Sequence, residues 1–429
     1  MRVEASDIGQ RSETVRRSNL SAIVRGLHER GPQSRSDLVA RTGLTRSAIR
    51  GLVGELAAAG FVTEEPAPRL GTPGRPSPVV RLNPERAVVL ALEIGVDSLA
   101  AAIVGLGGGV LALIRIDRSR GHSSVDDVVA DLSRLAAGLQ ASRATGDRLI
   151  GIGVAVVGVV RHEDGVVAMA PNLGWTDVPL GPKLASSLAM DVPIAVGNEA
   201  DLGVLAEHRR GAAVGVDDVV FVSGEVGVGG GIVVGGRPLT GASGYGGEIG
   251  HLPVNPDGLP CGCGSTGCWE TEVGEGALLT LAGRSPSAGR LGVEGILEDA
   301  AAGSPIALAA LDRVGRWLGI GLAGLVNVFN PRMIVLGGLL GRLQPFMREP
   351  LDAEFQRRAL PASRALVRLV PATLGIDAPL LGAAELAFEP LLADPAAWLA
   401  ELVGAPDPAS HPGSDVPTPD PDHRANPER

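Results

Sequence analysis

Apolar residues recur at the spacing of a helix in the first 60 residues of the chain. Within residues 19–30, positions 20, 23, 24 and 27 are apolar, so they share one face of a helix that Gly31 ends. Ser34 and Asp37 have the spacing of a capping box, which predicts a short second helix over residues 35–42. Thr45 can cap a third helix over residues 46–59, with positions 49, 52, 53 and 56 facing inward. The pattern predicts three helices, the last two separated by a turn at Gly43.

A short helix, a glycine turn and a longer helix form the plan of a helix-turn-helix. Two short strands follow, 61–63 and 79–82, around a loop rich in Pro and Gly, which predicts a winged helix. The second helix of the motif would enter the major groove, where Arg can pair with guanine and Ser or Thr can contact phosphates or bases. The alternative is a plain three-helix bundle with a solvated polar face. The residues expected at DNA are Ser34, Arg35, Thr45, Arg46, Ser47, Arg50, Arg69 and Arg75.

A different pattern begins at residue 88. Apolar runs at 88–94, 99–104 and 110–116 are separated by glycine-rich turns and predict three strands. A similar ribbon follows about 130 residues later, with a strand at 219–223, a glycine run at 224–231 and a further apolar run at 232–234. Two such ribbons, each followed by mixed α/β sequence, predict a duplicated two-lobe body. Ligands of such folds bind in the cleft between the lobes.

Charge separates the predicted winged helix from this body. Residues 1–86 contain 14 Arg and 9 acidic residues, whereas the whole chain of 429 residues has a net charge of −10. A basic head on an acidic body indicates that only the head meets a polyanion. The longest apolar stretch, 149–160, is too short to span a membrane, and the first residues lack an apolar signal core. We therefore expect a cytoplasmic protein with no membrane partner.

The three cysteines of the chain lie within eight residues, at Cys261, Cys263 and Cys268, and His251 precedes them by ten residues. Three thiolates and one imidazole are a complete tetrahedral ligand set for a structural zinc ion, and glycines at 262, 264 and 267 allow a tight knuckle. A disulfide would leave one thiol over, and chance clustering of buried thiols is the other alternative. The spacing favours zinc.

The motifs of the body resemble those of the ROK family, which comprises repressors, uncharacterised reading frames and sugar kinases. The most specific stretch is GASGYGGEIGH (241–251) followed by CGCGSTGCWE (261–270). Supporting motifs are GEVGVGGG (224–231), PNLGW (171–175), NEAD (198–201) and NPRMIVLGG (330–338). The attached winged helix resembles that of the xylose- and N-acetylglucosamine-type repressors of the family. The resemblance covers residues 15–392.

This resemblance implies an actin-like, hexokinase-like α/β fold of two lobes with a sugar or sugar phosphate in the cleft. Carboxylates and amides suit the neighbouring hydroxyls of a pyranose. The sugar contacts implied by the motifs are Gly158, Asn172, Asn198, Glu199, Glu248, His251 and Glu270.

The same resemblance argues against phosphoryl transfer. The family's kinases carry Asp-x-Gly-Gly-Thr-Lys in the first ribbon, where this chain has Glu93, Ile, Gly, Val96, Asp97 and Ser. Val96 replaces a glycine where backbone must approach phosphate, and Asp97 adds negative charge beside it. The usual catalytic aspartate is replaced by Glu199, which leaves a vestigial base at most. We therefore expect no kinase activity.

The expected organisation is an N-terminal arm (1–17), a winged helix-turn-helix (18–82), a linker (83–87), the ROK domain (88–392) and a disordered tail rich in Pro and Asp (404–429). The predicted function is a sugar-responsive regulator, a repressor that binds operator DNA as a homodimer or homotetramer. Two alternatives stay open. One is a sugar kinase with an appended DNA-binding domain, and the other is a DNA-binding protein that docks a protein partner through an unused cleft.

Overall fold

A computed structural model of the chain describes residues 5–66, 77–121, 124–141 and 148–403. The predicted tail (404–429) and most of the predicted wing loop, with Arg69 and Arg75, lie outside these residues. None of the helices in the described part is long and apolar enough to cross a membrane.

The head is a winged helix. Its three strands form one antiparallel sheet in the order β1-β3-β2. In chain order its elements are α1 (Ala5–Arg30), β1 (Gln33–Ser34), α2 (Arg35–Thr42), α3 (Arg46–Ala58), β2 (Val62–Glu65) and β3 (Val79–Leu82). The first helix begins at Ala5, so residues 5–17 are not a separate arm but continue the helix that the apolar spacing placed at 19–30. Their polar sequence carries no apolar stripe, which is why periodicity did not detect them.

Local signals set the ends of the two short helices as predicted. The Ser34 side chain accepts from the backbone N–H of Asp37 at 3.1 Å, and the Asp37 carboxylate accepts from the N–H of Ser34 at 3.0 Å, which completes the capping box. Gly43 turns the chain in the left-handed region at φ 69°, and Thr45 caps α3 through the N–H of Ala48. Ile49 and the other inward positions of α3 pack into the head core, with position 52 only partly buried.

The first lobe, termed the N-lobe, is built on a five-stranded sheet in the order β11-β7-β4-β5-β6, and a small sheet of β8, β9 and β10 flanks it. Its strands β4 and β5 are buried on both faces, which explains their continuous apolar sequence. The elements are β4 (Val88–Ile94), β5 (Ser98–Gly105), β6 (Val110–Asp117), α4 (Val125–Ala141), β7 (Leu149–Val156), β8 (Val159–Arg161), β9 (Val166–Ala170), β10 (Trp175–Val178), α5 (Leu180–Leu188), β11 (Ile194–Asn198) and α6 (Glu199–Arg210).

The second lobe, termed the C-lobe, repeats the plan with the order β14-β13-β12-β15-β16. The chain then returns to the N-lobe through α13, which packs on β4 and β7, and the described part ends with α14 against α1. The elements are β12 (Val219–Gly224), β13 (Val228–Val234), β14 (Arg237–Pro238), α7 (Trp269–Val273), α8 (Glu275–Leu281), α9 (Gly289–Ala301), α10 (Pro305–Phe329), β15 (Met333–Gly337), α11 (Gly338–Arg358), α12 (Pro361–Arg364), β16 (Arg368–Pro371), α13 (Ala378–Ala393) and α14 (Pro395–Val403).

The two sheets confirm the predicted duplication and the actin-like fold. In each lobe an antiparallel ribbon of three strands is extended by two strands parallel to its first strand. By itself the glycine run 224–231 suggests tight strand turns, but the structure gives part of it another role. Positions 229–231 lie inside β13, and a Cβ at Gly231 would stand 2.4 Å from the carbonyl oxygen of Ala200. Gly229 and Gly231 allow α6 to pack closely on the sheet, whereas a Cβ at Gly230 would meet Ile249.

Candidate functional site

A cavity of about 460 Å³ lies between the lobes. It is large enough for a small ligand with several hydrogen-bonding groups. All seven residues that the motifs implied as sugar contacts line this cavity: Gly158, Asn172, Asn198, Glu199, Glu248, His251 and Glu270. The fold therefore brings together, from five separate segments, the set of residues that was expected from the sequence.

Asn198 and Gly158 shape the floor of the cleft more than they offer free groups. Asn198 ends β11 and caps α6, and its side-chain oxygen accepts from the N–H of Ala200 at 2.7 Å. Its amide nitrogen donates to the carbonyl of Gly158 at 2.9 Å. Gly158 has φ 122°, and a Cβ there would stand 2.5 Å from the carbonyl oxygen of Met169. Only glycine fits this position.

The carboxyl of Glu199 stands at the first turn of α6, surrounded by protein except where part of it faces the cleft. Burial, reinforced by the negative charge of Glu248, raises the pKa of Glu199 to about 8. Burial and Glu248 also raise the pKa of Asp201 to about 7. Asp201 belongs to the NEAD motif but is not among the residues that line the cavity. At neutral pH the carboxyl of Glu199 therefore carries a proton that can be donated to a ligand oxygen in the cleft.

Four residues beside the cleft could hold a metal ion. His251, Cys261, Cys263 and Cys268 each offer one ligand atom, and these atoms lie within 4.8 Å of one another. All three thiols are free in this structure, and the sulfurs of Cys263 and Cys268 are 3.7 Å apart, so the structure joins none of them in a disulfide. Three thiols with one imidazole form a set that a tetrahedral zinc ion prefers.

The metal cluster and the cleft share His251. Its Nδ1 lies 3.5 Å from the sulfur of Cys261, whereas its Nε2 lies 3.9 Å from a carboxylate oxygen of Glu248. The carboxylate of Glu270 lies 3.6 Å from Nδ1 and 2.8 Å from the sulfur of Cys261. One ring nitrogen therefore faces the cluster and the other faces the cleft.

Ion pairs fill the part of the cleft beside residues 93–98, which the resemblance aligns with the phosphate motif of the family's kinases. Arg115 donates to both carboxylate oxygens of Glu93, at 3.1 and 3.0 Å. Arg120 of the N-lobe pairs with Asp97 at 3.0 Å and makes a two-pronged contact with Glu275 of the C-lobe. The sequence drew attention to position 97, but neither arginine belongs to a motif, so their partners were not foreseen.

The helix start of α3 presents its polar residues to solvent. Thr45, Arg46, Ser47 and Arg50 are exposed, as predicted for a surface that meets DNA. The two predicted residues at the start of α2 are engaged within the head: the Ser34 side chain caps α2, and the Arg35 guanidinium pairs with the Glu64 carboxylate. Of the predicted DNA-binding residues that the structure describes, those on α3 are thus the exposed ones, although the Thr45 hydroxyl also caps the helix.

Comparison with known proteins matches both parts of the chain. The model of the ROK family matches residues 89–389. The xylose repressor of Bacillus subtilis is 28% identical over 379 residues, which are 88% of this chain and 97% of that protein. The crystal structure of a ROK family transcriptional regulator, a homologue of the E. coli MLC protein, superposes with a TM-score of 0.72 at 28% identity, covering 91% of this chain and 98% of that one.

An enzyme matches a smaller share of the chain. The ROK family glucokinase from Streptomyces griseus, solved with glucose and AMPPNP, has a TM-score of 0.62 at 30% identity. It covers 70% of this chain and 99% of its own. The two regulators cover more of the chain than the two lobes alone can supply, so their likeness includes the winged-helix head.

Proposed function

This chain belongs to the ROK family, and on that premise we propose that it is a sugar-responsive transcriptional regulator, a repressor that binds operator DNA. The proposal rests on one observation: the same chain has an exposed recognition helix and a polar cleft in which ion pairs occupy the region where a kinase would hold phosphates. The similarity to a xylose repressor and to an MLC homologue supports it.

The head reads DNA through α3. Arg46 and Arg50 are exposed on the helix and can reach base edges or phosphates, while Thr45 and Ser47 stand at the helix start, where backbone N–H groups also favour phosphate. A homodimer or homotetramer places two heads on one duplex, so the operator is expected to be a near-palindrome.

The cleft takes a small sugar as effector. Asn172, Glu248 and Glu270 offer amide and carboxylate groups, and the protonated carboxyl of Glu199 offers a donor. A ring of hydroxyls needs this mixture of donors and acceptors. D-Xylose and D-glucose are the first probes, because similar proteins include a xylose repressor and a glucokinase that was solved with glucose.

We assign the metal cluster to a structural zinc ion held by His251 and the three cysteines. A zinc ion there would supply four fixed bonds and no open position for a substrate. Binding through Nδ1 of His251 leaves Nε2 to face the cleft beside Glu248, with its tautomer fixed. The cluster thereby holds the loop that carries the sugar contacts.

The ion pairs of the cleft argue against the kinase alternative. Glu93 cannot hold a divalent cation while both of its oxygens accept from Arg115. Asp97 and Glu275 are joined through Arg120 across the position where a kinase cradles phosphates. A nucleotide would have to break these pairs and place its own negative charge beside two carboxylates.

Sugar titration calorimetry with the full chain tests the cleft, and Asn172→Ala is the variant. Asn172 lines the cavity and makes no side-chain contact that would hold the fold together among those observed. We expect the native chain to bind the sugar and Asn172→Ala to bind it at least tenfold more weakly. A coupled ADP-release assay with the same sugars should stay at background. Sustained ADP release would establish the kinase alternative, and equal sugar affinity of both proteins would contradict the placement of the effector.

A further inference from the structure

Helix α6 begins in the cleft and ends at the DNA-binding head. Its first residue is Glu199 and its N-cap is Asn198, both in the cavity wall. Its last residues are Arg209 and Arg210. A helix of 12 residues is about 18 Å long, so one rigid element spans the distance between the two sites.

The helix is held on both sides by close contacts at glycines. On the C-lobe side, a Cβ at Gly203 would stand 2.7 Å from the ring of Phe221, so the helix backbone packs directly against this side chain of β12. On the N-lobe side, a Cβ at Gly382 of α13 would stand 1.9 Å from the carbonyl oxygen of Leu202. Close-packed contacts of this kind do not deform gradually. A movement of the lobes about a ligand must therefore displace α6 against at least one of these two neighbours, β12 or α13.

At its far end α6 enters a buried polar cluster that includes the head. Arg210 Nη1 donates to the carbonyl of Gly107 at 2.7 Å and to the carbonyl of His28, on α1, at 3.3 Å. Its Nε donates to the carboxylate of Glu385, and its Nη2 lies 2.6 Å from Nε2 of His28. The side chain of His28 is 0% exposed and that of Glu385 1%. Arg210 therefore contacts the head, the N-lobe turn and α13 at once.

The cluster fixes the orientation of the His28 ring. The backbone N–H of Gly107 donates to Nδ1 at 3.0 Å, and Nε2 lies 3.1 Å from a carboxylate oxygen of Glu385. Burial would raise the pKa of Glu385, but the hydrogen bond from His28 and the nearby arginines outweigh it and lower that pKa. A buried carboxylate with these fixed partners has little freedom, so a shift of Arg210 must be transmitted to its neighbours.

Other contacts join the head to the body without passing through α6. Arg17 of α1 pairs with Asp394, and Ser21 donates to the carbonyl of Leu392 at 2.7 Å. They provide a comparison, because they hold the same interface but do not touch the helix that starts in the cleft.

We propose that α6 transmits the state of the cleft to the DNA-binding head, with Arg210 as the positioning residue that couples them. This inference rests on the proposed function. It assigns to one side chain the link between a sugar site and a DNA site, and it places that link at the contact of Arg210 with His28 and Glu385.

The test compares Arg210→Lys with Arg17→Gln in the full chain. Lysine keeps the positive charge beside Glu385 but cannot make the several contacts of the guanidinium, whereas Arg17→Gln removes an interface ion pair that α6 does not touch. A melting curve shows whether Arg210→Lys folds. If it does not, His28→Gln replaces it in the test, because this substitution perturbs the same cluster from the head side. Operator affinity is measured by fluorescence anisotropy with and without saturating D-xylose or D-glucose.

The expected result is a change in affinity ratio, not in either affinity alone. Coupling between sites is commonly about 5- to 150-fold. The ratio is the operator affinity without sugar compared with the operator affinity with sugar. We expect this ratio to lie in that range for the native chain and for Arg17→Gln. For Arg210→Lys we expect the ratio to lie within about twofold of one, while the affinity for the sugar itself stays near that of the native chain. A native ratio in Arg210→Lys overturns the inference but leaves the proposed function intact.

A second arm needs no sugar. Coupling is reciprocal, so operator binding should change hydrogen exchange at the start of α6. We expect that change in the native chain and in Arg17→Gln, and its loss in Arg210→Lys. If the native chain shows this exchange change but neither sugar alters its operator affinity, the sugar part of the proposed function fails while the coupling through α6 is supported. If it is missing from the native chain, or persists in Arg210→Lys, the link is refuted.

Discussion

Replacing Glu199 by glutamine should stabilise the protein at neutral pH and not at acid pH. Glutamine has nearly the same shape but no charge to desolvate. In the folded chain, burial and the charges of Glu248 and Asp201 raise the pKa of Glu199 to about 8, against an ordinary 4.5. The folded state therefore keeps a proton that the unfolded chain releases between these two values. Stability is lost as the pH rises through that window, because the folded state binds more protons than the unfolded state.

The size of the effect follows from the same two values. Each pH unit in the window costs about 1.36 kcal/mol. From pH 5 to pH 7.5 the native chain should lose about 3 kcal/mol relative to Glu199→Gln, an upper figure because part of the Glu199 side chain faces water in the cleft. A loss of this size is a large share of a typical domain's stability and is readily measured.

The assay is urea unfolding of the native chain and Glu199→Gln at pH 5, 6, 7 and 7.5, followed by circular dichroism. Both proteins share the same cysteines and His251, so pH effects on the metal cluster cancel in the difference. Glu163→Gln, at an exposed position, is the control and should show no such trend. A stability difference for Glu199→Gln that stays constant with pH, or that grows in favour of the native chain, would refute the reasoning.

Two further predictions concern the metal cluster and the head. Cys263→Ser leaves three ligands, so the zinc content measured by atomic emission after dialysis should fall from about one ion per chain towards zero. Sugar affinity should weaken about tenfold or more, while DNA binding without sugar persists. Retention of both zinc and sugar affinity would contradict the supporting role of the metal cluster. Arg50→Ala should cost about 1–3 kcal/mol of operator binding and relax base choice, whereas Arg75→Ala should weaken binding to all sequences alike. Competition with altered operators measures both, and equal loss of base choice in the two variants would remove the distinction.

Local signals in the sequence predicted much of the fold. The strands that begin at Val88 and Val219 were found because they are buried and read as continuous apolar runs. Caps at Ser34 and Thr45 placed α2 and the start of α3 because each cap interacts with residues three positions away. The metal cluster was visible because its four ligands lie within 18 residues.

Long-range polar contacts were not predictable. Arg210 is 182 residues from His28, and Arg120 is 155 residues from Glu275. No pattern along the chain marks such partners, since an arginine on a helix is usually solvated. The start of α1 was missed for a related reason, because a polar helix held by neighbouring elements carries no apolar stripe of its own. The residues that the motifs implied as sugar contacts line the cleft, but the motifs did not reveal that Asn198 is engaged in capping.

The central claim is that a sugar in the cleft changes the affinity of the head for DNA. The most direct measurement is fluorescence anisotropy of a labelled operator fragment titrated with the full native chain, with and without saturating sugar that calorimetry has shown to bind. We expect the operator Kd to change by about fivefold or more when the sugar is bound. An unchanged Kd, with sugar bound and DNA binding intact, would contradict it.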